Sequence, residues 1–422
     1  MRLDRQFRVV SLCEDDRVDR RILDGARMLS EEGWPTLVIA APPLMDLRDE
    51  ESYPDVPIFR MPSNIVRPGL SPRGTLPHEA LIEALFPWSR RVTAAALAFP
   101  AEVYIANDLP QLAAGIIAAR HHGSTLIYDA HEFFPAQPFV KERAQKLETI
   151  ERDLIGYAHG IVTVNDSIAD VMTMHYTCMR PRIVLNCPSR RHQQTALADD
   201  GRLRNFLGIR PDQRVLLYQG NLAAHRNLKE MIDGMALLSS DGVVLALMGR
   251  ESEYSNGLKR HAEQIGVVGR RVFFIPEQSA ANLLAWTAGA DAGIIPYPHT
   301  DLNTLMCTPN KLYEFLASGL PILASHGTEL RRFVGDLGVG QNAHLQTPQD
   351  FARAIDAFMA GPLDLWRAKS IELSARYTWE TEGRLWFDVI RDAQAVHRER
   401  PWSTIAPSVV TLSLVTPLRK VV

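Results

Sequence analysis

Cysteine is scarce in this chain, and its placement excludes the common metal sites. Four cysteines occur in 422 residues, far apart in the sequence. None belongs to a C-x-x-C pair, and the histidines form no cluster at zinc spacing. We therefore expect a protein of a reducing compartment with no structural metal.

Long apolar runs and an excess of basic residues are also missing. No stretch approaches the roughly 20 apolar residues that span a bilayer, and the first residues, Met1–Arg8, are charged. The formal net charge is −3, whereas dedicated nucleic-acid binders carry a strong basic excess. These absences predict a cytoplasmic protein with no nucleic-acid partner, and they leave peripheral contact with the inner face of the membrane open.

Several catalytic signatures are absent as well. The sequence contains no G-x-x-x-x-G-K-[ST] phosphate loop, no G-x-S-x-G nucleophile elbow and no H-E-x-x-H zinc helix. The turn Cys13–Arg17 lacks G-x-G-x-x-G and carries acids where a phosphate would have to bind. P-loop and hydrolase functions are therefore not expected, nor is a dinucleotide cradle in the first half.

The chain does contain short apolar, β-branched runs that alternate with segments of helical period, the pattern of parallel sheets covered by helices. Its length favours two domains, and both halves open as strand, turn, helix, strand. Asn186–Asp200 reads as a linker between them. The predicted strands are Phe7–Leu12, Thr36–Ala40, Ile58–Met61, Glu102–Ala106, Thr125–Tyr128, Gly160–Val164, Arg182–Leu185, Arg214–Gln219, Gly242–Met248, Arg271–Phe274, Ala292–Ile295 and Leu320–Ser325, and helices include Arg17–Glu32, Leu109–His121, Val140–Ala158 and Thr378–Arg398.

The turn that opens the second half has the composition of a phosphate site. Gly220 ends the strand, and cations including Arg226 enter the following helix. A guanidinium binds phosphate oxygens in a fixed two-pronged geometry, which makes Arg226 the best partner for a pyrophosphate. The alternative is a solvated arginine near a helix start.

The segment Cys307–Ser325 is a capped helix with an acid inside it. Thr308 suits the N-cap, Pro309 suits the first helical position, and Gly319 ends the helix. The free N–H groups at its start can hold an anion, and Glu314 lies roughly 7–8 Å further along at about 1.5 Å per residue. A nucleotide separates its pyrophosphate from its ribose diol by about this distance. The alternative is a surface helix with a Lys311–Glu314 ion pair.

Acids and a histidine follow two neighbouring strands of the first half. Asp129, His131 and Glu132 stand at the end of one predicted strand, and Asp108 follows the preceding strand. Ligands bind beyond the carboxyl ends of parallel strands, and such groups can transfer protons. A local hydrogen-bonding role for the histidine, and a helix-capping role for the acids, remain open.

Together these motifs resemble the family 4 glycosyltransferases of the GT-B fold, in the bacterial subset that builds surface polysaccharides and glycolipids. The resemblance covers nearly the whole chain. It rests on Asp16-Arg17-Val18 with Arg21 and Gly33, on Tyr128–Glu132, on Gly220-Asn221 through Arg226-Asn227, and on Thr308–Lys311 through Pro321, with further support from Ala290–Tyr297 and Tyr377–Glu380.

The resemblance implies an α/β protein of GT-B architecture, with two Rossmann-like domains whose parallel sheets face a central cleft. Residues 1–187 would form the acceptor-side domain and residues 188–377 the donor domain. Residues 378–400 would cross back onto the first domain, and the tail 401–422 would be extended or disordered.

The resemblance also implies a retaining transfer from a nucleoside-diphosphate sugar to a hydroxyl of a glycan or lipid-linked acceptor in surface polysaccharide biosynthesis. No metal or other cofactor is expected. Glu314 would hold the donor ribose, Arg226 and Lys311 the diphosphate, and His131 would stand by the reacting centre. The candidate catalytic residues are His131, Arg226 and Lys311; the donor-binding candidates are Gly220, Asn221, Arg226, Asn303, Thr308, Lys311 and Glu314; the acceptor-side candidates are Asp108, Asp129 and Glu132.

The chain departs from the family pattern at Met306, where relatives carry a second acid that meets the donor sugar. Asp301, Asn303 or Thr304 in the same loop are candidate replacements. Asn221 likewise stands where many relatives carry a second cation. The departure at Met306 leaves open a non-catalytic GT-B partner of another transferase. A sugar-nucleotide epimerase on the same two-domain plan is a second open alternative.

Overall fold

A computed structural model of the chain describes residues 7–42, 53–61, 76–196, 201–239 and 241–405. It contains two separate parallel β-sheets, each covered by helices on both faces. The predicted α/β class with two parallel-sheet domains is confirmed. We call the unit around the seven-stranded sheet the first domain and the unit around the six-stranded sheet the second domain.

The first sheet has the order β3-β2-β1-β4-β5-β6-β7, and the second has the order β10-β9-β8-β11-β12-β13. All pairs between neighbouring strands are parallel. The strands are β1 (Val9–Leu12), β2 (Thr36–Ala40), β3 (Ile58–Arg60), β4 (Val103–Asn107), β5 (Thr125–Ala130), β6 (Gly160–Thr163), β7 (Arg182–Ile183), β8 (Arg214–Gln219), β9 (Val243–Gly249), β10 (Val272–Pro276), β11 (Ala292–Ile295), β12 (Ile322–Ala324) and β13 (Gly340–Asn342).

Helices connect the strands and supply the outer layers. Short 3-10 turns lie at Phe134–Ala136, Ala224–Arg226 and Trp402–Thr404, and a π-helical turn lies at Arg331–Asp336. The α-helices are α1 (Arg20–Glu31), α2 (Glu79–Leu85), α3 (Ser89–Ala98), α4 (Leu109–His122), α5 (Lys141–Ile155), α6 (Asp166–Tyr176), α7 (Arg190–Ala196), α8 (Arg202–Leu207), α9 (Leu228–Ala236), α10 (Glu253–Gln264), α11 (Ala280–Thr287), α12 (Leu302–Met306), α13 (Asn310–Ala317), α14 (Thr328–Leu330), α15 (Pro348–Met359), α16 (Leu363–Ser374), α17 (Trp379–Glu382) and α18 (Leu385–Glu399).

Both sheets reverse their strand order beside their first strand. β1 lies between β2 and β4, and β8 lies between β9 and β11. In such sheets a crevice opens beyond the carboxyl ends of the strands where the order reverses. The turns after β1, β4, β8 and β11 therefore lead into the space where a ligand is expected.

The C-terminal helices return to the first domain. Trp386 and Ile390 of α18 share an apolar cluster with Val9 and Ile127 of the first sheet. The predicted single helix Thr378–Arg398 is wrong in one respect, because it is broken at Gly383. A Cβ there would come 2.8 Å from the backbone oxygen of Trp379, so the close approach of the backbone favours glycine at this position.

Other predicted elements differ at their ends. α1 begins at Arg20 instead of Arg17, because the side chain of Asp19 accepts the N–H of Arg21 at 2.7 Å and caps the helix. β13 was not predicted, since Gly340–Asn342 has no apolar run. The predicted linker includes α7, and residues 197–200 of it lie outside the described residues.

The start of the predicted tail is folded against the first domain. Trp402 is buried, and its Nε1 donates a hydrogen bond to the carbonyl of Ser124 at 2.7 Å. The rest of the tail, from residue 406, lies outside the described residues. Across the described ranges, no helix combines the length and the apolar character that a membrane-crossing segment needs.

Candidate donor site between two domains

A cavity of about 340 Å³ lies where the carboxyl ends of the two sheets meet. Most of its wall comes from the second domain, and Arg17 contributes from the first. The lining residues are Arg17, Tyr218, Gln219, Gly220, Asn221, Arg226, Met248, Gly249, Glu277, Gln278, Leu283, Tyr297, Pro309, Asn310, Lys311 and Glu314. Five predicted donor-site residues, Gly220, Asn221, Arg226, Lys311 and Glu314, are thus brought together.

The turn after β8 places a glycine and an arginine on this cavity. Gly220 has a φ of +104°, a backbone conformation that residues other than glycine rarely adopt. The guanidinium carbon of Arg226 lies 4.0 Å from the centroid of the Tyr297 ring, which holds the side chain in place. No described residue forms a salt bridge with Arg226, so its charge is available to a ligand in the cavity.

The helix α13 begins one residue later than predicted. Pro309 is its N-cap, and Thr308, predicted to be the cap, does not cap it. The Oγ1 of Thr308 instead accepts a hydrogen bond from Asn165 Nδ2 of the first domain at 3.2 Å. Thr308 is therefore buried in the contact between the domains and does not line the cavity.

Lys311 is buried beside the same cavity. Its Nζ lies 3.7 Å from the centroid of Tyr218 and 5.3 Å from that of Tyr297. In the part of the chain that the structure describes, it forms no ion pair, which makes the predicted alternative of a surface Lys311–Glu314 pair wrong. Burial, with the nearby charge of Arg226, lowers the pKa of Lys311 well below its usual value.

The carboxylate of Glu314 is held from both domains. Its Oε1 accepts a hydrogen bond from Arg20 Nη1 at 3.1 Å, and its Oε2 accepts one from Gln219 Nε2 at 2.7 Å. Sequence reasoning missed Arg20 and Gln219. Arg20 lies between Arg17 and Arg21, two residues that belong to the family pattern. The one sequence feature that could have identified Arg20 is a charged residue on the buried face of an amphipathic helix.

His131 lies at the end of β5 between two acids. Its Nε2 lies 3.1 Å from Asp129 Oδ2, and its Nδ1 lies 3.5 Å from Asp108 Oδ2. Burial alone would lower the pKa of His131, but Asp108 and Asp129 outweigh it and raise that pKa to about 9. His131 is therefore a cation and a proton donor at neutral pH.

The two acids around His131 are themselves fixed. Arg21 binds Asp129 with two hydrogen bonds of 2.9 Å, and although burial opposes it, Arg21 holds the pKa of Asp129 below its usual range. Asp108 has a φ of +59° and a ψ of 169°, a strained conformation for a residue with a side chain. Its Oδ1 accepts the backbone N–H of His131 at 2.9 Å. Strain of this kind persists where the surrounding structure enforces it, and it is common at functional sites.

Glu132 reaches the second domain. Its Oε2 accepts a hydrogen bond from Asn303 Nδ2 at 2.6 Å, and Gln137 donates to its Oε1. Glu132 and Arg226 are close enough that each charge influences the pKa of the other. The predicted acceptor-side loop and the predicted phosphate turn therefore face each other across the cleft, although Glu132 does not line the cavity itself.

Met306, at the position of the missing acid, faces the first domain. The side chain is 4% exposed and belongs to the apolar core of that domain. Its carbonyl accepts a hydrogen bond from Asn165 Nδ2 at 2.9 Å. Of the suggested replacements, Asp301 caps α12 through the N–H of Thr304, while Asn303 leaves its Oδ1 buried without a hydrogen-bond partner.

Family models match both halves of the chain. Residues 18–189 match the model described as a glycosyl transferase 4-like domain, and residues 199–376 match the model described as glycosyl transferases group 1. A curated relative from Escherichia coli (strain K12), WcaI, is assigned as a colanic acid biosynthesis glycosyl transferase. It is 28% identical over 129 residues, which cover 31% of this chain and 30% of the relative's length.

Solved structures of low sequence identity share the fold. A sucrose-phosphate synthase from Thermosynechococcus elongatus has a TM-score of 0.71 at 16% identity and covers 92% of this chain and 99% of its own. WaaG, a glycosyltransferase involved in lipopolysaccharide biosynthesis, has a TM-score of 0.67 at 16% identity, covering 90% and 99%. Anabaena HepE, solved in complex with UDP, has a TM-score of 0.65 at 14% identity, covering 93% and 99%.

Proposed function

Since the chain belongs to the family 4 glycosyltransferases of the GT-B fold, we propose that it moves a sugar from a nucleoside-diphosphate sugar to a hydroxyl of a glycan or lipid-linked acceptor. The transfer retains the configuration at the anomeric carbon. The polysaccharide context is proposed from the names of WcaI and WaaG. A lipid-linked acceptor would bring the protein into peripheral contact with the membrane.

The observation that carries the proposal is one cavity lined by two basic side chains and a carboxylate. The side chains of Arg226 and Lys311 have no ion-pair partner among the described residues, and both line the cavity beside Gly220. Glu314 lines the same cavity. In the proposed complex the cations bind the diphosphate, and the carboxylate accepts hydrogen bonds from the ribose hydroxyls.

The proposed reaction depends on stabilising the negative charge of the leaving group, and it uses no nucleophile from the protein. As the bond between the anomeric carbon and the diphosphate oxygen breaks, negative charge builds on the leaving diphosphate beside Arg226 and Lys311. The acceptor hydroxyl attacks the same face of the sugar, and its proton passes to the departing diphosphate. Two side-chain cations at this point take the role that a divalent metal plays elsewhere, so we propose that the reaction is independent of metal.

His131 is proposed to act beside the reacting sugar. It is protonated at neutral pH because Asp108 and Asp129 flank it. An imidazolium donates hydrogen bonds from both ring nitrogens. The Nε2 of His131 is hydrogen-bonded to Asp129, whereas its Nδ1 lies 3.5 Å from Asp108 without a hydrogen bond among the described residues, so Nδ1 is the proposed donor on the acceptor side of the cleft.

Thermal-shift measurements with UDP-, GDP- and TDP-sugars test the proposal, because a ligand of the folded state raises the melting temperature. We expect one donor class to stabilise the protein, and product NMR to show the anomeric configuration of the donor. Inversion of that configuration would contradict retention. Conversion of the donor sugar without any acceptor would favour the epimerase instead. The non-catalytic alternative predicts no turnover with any donor, together with tight association with another transferase.

A further inference from the structure

We infer that Arg20 is a positioning residue for the donor ribose, because it orients Glu314 from the opposite domain. Binding of the ribose hydroxyls then depends on the closed arrangement of the two domains. The inference rests on the proposed function, since it concerns how Glu314 recognises a nucleotide.

The hydrogen bonds of Glu314 leave it suited to a diol. Arg20 and Gln219 each occupy one lone pair, on different oxygens of the carboxylate. A carboxylate oxygen accepts two hydrogen bonds, so each oxygen keeps one site free. Two free acceptors on one fixed carboxylate plane match the two hydroxyls of a ribose.

Each carboxylate oxygen of Glu314 accepts a hydrogen bond from a different domain. On the Oε2 side, Gln219 is itself held, because its Oε1 accepts a hydrogen bond from Thr287 Oγ1 at 2.8 Å. All three of these side chains belong to the second domain. On the Oε1 side, the hydrogen bond that the described residues supply comes from Arg20 at the start of α1 in the first domain. Opening of the cleft would leave the orientation of the carboxylate to Gln219 alone.

Arg20 is buried beside two acids, Asp24 of its own helix and Glu314 of the second domain, but only Glu314 accepts a hydrogen bond from it among the described residues. The side chains of Arg20 and Glu314 are 7% and 8% exposed. Nε and Nη2 of Arg20 are buried and have no hydrogen-bond partner among the residues that the structure describes. A guanidinium is costly to remove from water, and a buried ion pair adds little net stability. The contact therefore makes more sense as a way of orienting Glu314 than as a source of stability.

A second arginine of the same segment supports the link between the domains. Arg17, three residues before Arg20, pairs with Glu277, and both line the cavity. The segment from Arg17 to Arg20 thus contacts two acids of the second domain, Glu277 and Glu314, and both acids line the cavity. Both contacts, Arg17 with Glu277 and Arg20 with Glu314, form when the two domains are closed on each other.

The test compares ligands that differ by one ribose hydroxyl. UDP and 2′-deoxy-UDP, and GDP and 2′-deoxy-GDP, are titrated by calorimetry into the wild type, Arg20→Met and Arg20→Lys. A hydrogen bond to a charged group contributes about 1.5–3 kcal/mol, so the wild type should prefer its ribonucleotide about 10-fold or more. In Arg20→Met that preference should fall below about 3-fold, through loss of ribonucleotide affinity alone.

Arg20→Lys keeps the positive charge but loses the planar guanidinium with its paired N–H donors. Its preference for the ribonucleotide should therefore be intermediate between those of the wild type and Arg20→Met. Arg27→Met is the matched control, because Arg27 belongs to the same helix but lies over the Tyr53 ring; its preference should equal that of the wild type. Circular dichroism checks that each variant is folded, and if Arg20→Met does not fold, Arg20→Lys decides the test.

Two results overturn the inference in different ways. An undiminished preference in a folded Arg20→Met variant, or equal losses for ribo- and deoxynucleotides, would show that Arg20 does not orient Glu314. Failure of the wild type to bind any of the four nucleotides or TDP would instead overturn the proposed function on which the inference rests.

Discussion

The Nζ of Lys311 lies 3.7 Å from the centroid of the Tyr218 ring, and Arg226 lies on the same cavity. Neither side chain has an ion-pair partner among the described residues, and repulsion from the charge of Arg226 opposes protonation of Lys311. An anion bound between them would relieve that repulsion. The cavity is therefore expected to be less stable without a ligand than with an anion bound between Arg226 and Lys311.

Replacing Lys311 with Met should weaken nucleoside-diphosphate binding about 10- to 100-fold, by loss of a charged hydrogen bond. The variant should melt at the same temperature as the wild type or higher, because burying an unpaired ammonium is costly. Lys229→Met is the control, since Lys229 is exposed and pairs with Asp233. A large loss of thermal stability with unchanged binding would return Lys311 to a structural role.

Nucleotide binding should be coupled to proton uptake at Lys311. Burial and Arg226 lower its pKa in the empty site, and a bound diphosphate should raise it again. Affinity should therefore decline as the pH rises above the lowered pKa. Calorimetry in two buffers of different ionisation enthalpy measures this uptake, which should be smaller in Lys311→Met. Equal proton uptake in both proteins would assign it to another group.

Replacing His131 with Ala should reduce turnover about 10²- to 10⁴-fold while nucleotide affinity is largely kept. The pKa of His131 is raised to about 9, so its contribution to stability is fully present below the ordinary value of 6.5 and is lost as the pH rises through 9. The stability advantage of the wild type over the variant should shrink over that range. His344→Ala, at an exposed site, is the control. Wild-type turnover in His131→Ala would leave His131 with a local structural role.

Restoring an acid at position 306 should damage the protein instead of improving it. The side chain of Met306 is 4% exposed in the core of the first domain, where a carboxylate would be buried without a partner. We expect Met306→Glu to lower the melting temperature markedly, and Met306→Leu to cost less than about 1.5 kcal/mol. A Met306→Glu protein of unchanged stability and higher turnover would show that this position still faces the donor.

Low pH should weaken the docking of the C-terminal segment. The ring of His159 contacts those of His397 (tilted) and Trp402 (edge-to-face), at centroid distances of 4.4 and 4.9 Å, and its Nδ1 accepts the backbone N–H of Leu126. Burial lowers the pKa of His159 to about 3, so its contribution to stability is lost as the pH falls below its unfolded value of 6.5. Melting temperatures at pH 7.5, 6 and 5 should fall less in His159→Asn than in the wild type. Equal slopes would contradict this role.

The elements that carry the donor site could be predicted from the sequence because their signals are local. The strand before Gly220, the turn that contains Arg226 and the helix that contains Glu314 each show their pattern within about a dozen residues. The ends of parallel strands then place these pieces at one edge of a sheet. Strand-end reasoning likewise placed His131 beside Asp108 and Asp129.

The contacts between the domains could not be predicted in the same way. Arg20 and Glu314 are 294 positions apart, and their contact depends on how two separately folded units meet. The absence of an acid at Met306 was visible in the sequence, but its packing against the first domain was not. Thr308 was expected to cap a helix, yet its hydroxyl faces Asn165 of the opposite domain.

The most direct measurement is calorimetric titration of the preferred nucleoside diphosphate into the wild type, Glu314→Ala and the exposed control Glu372→Ala. If Glu314 holds the ribose, Glu314→Ala should bind at least about 10-fold more weakly while Glu372→Ala matches the wild type. Unchanged affinity in a folded Glu314→Ala protein would contradict the assignment of this cavity as the donor site.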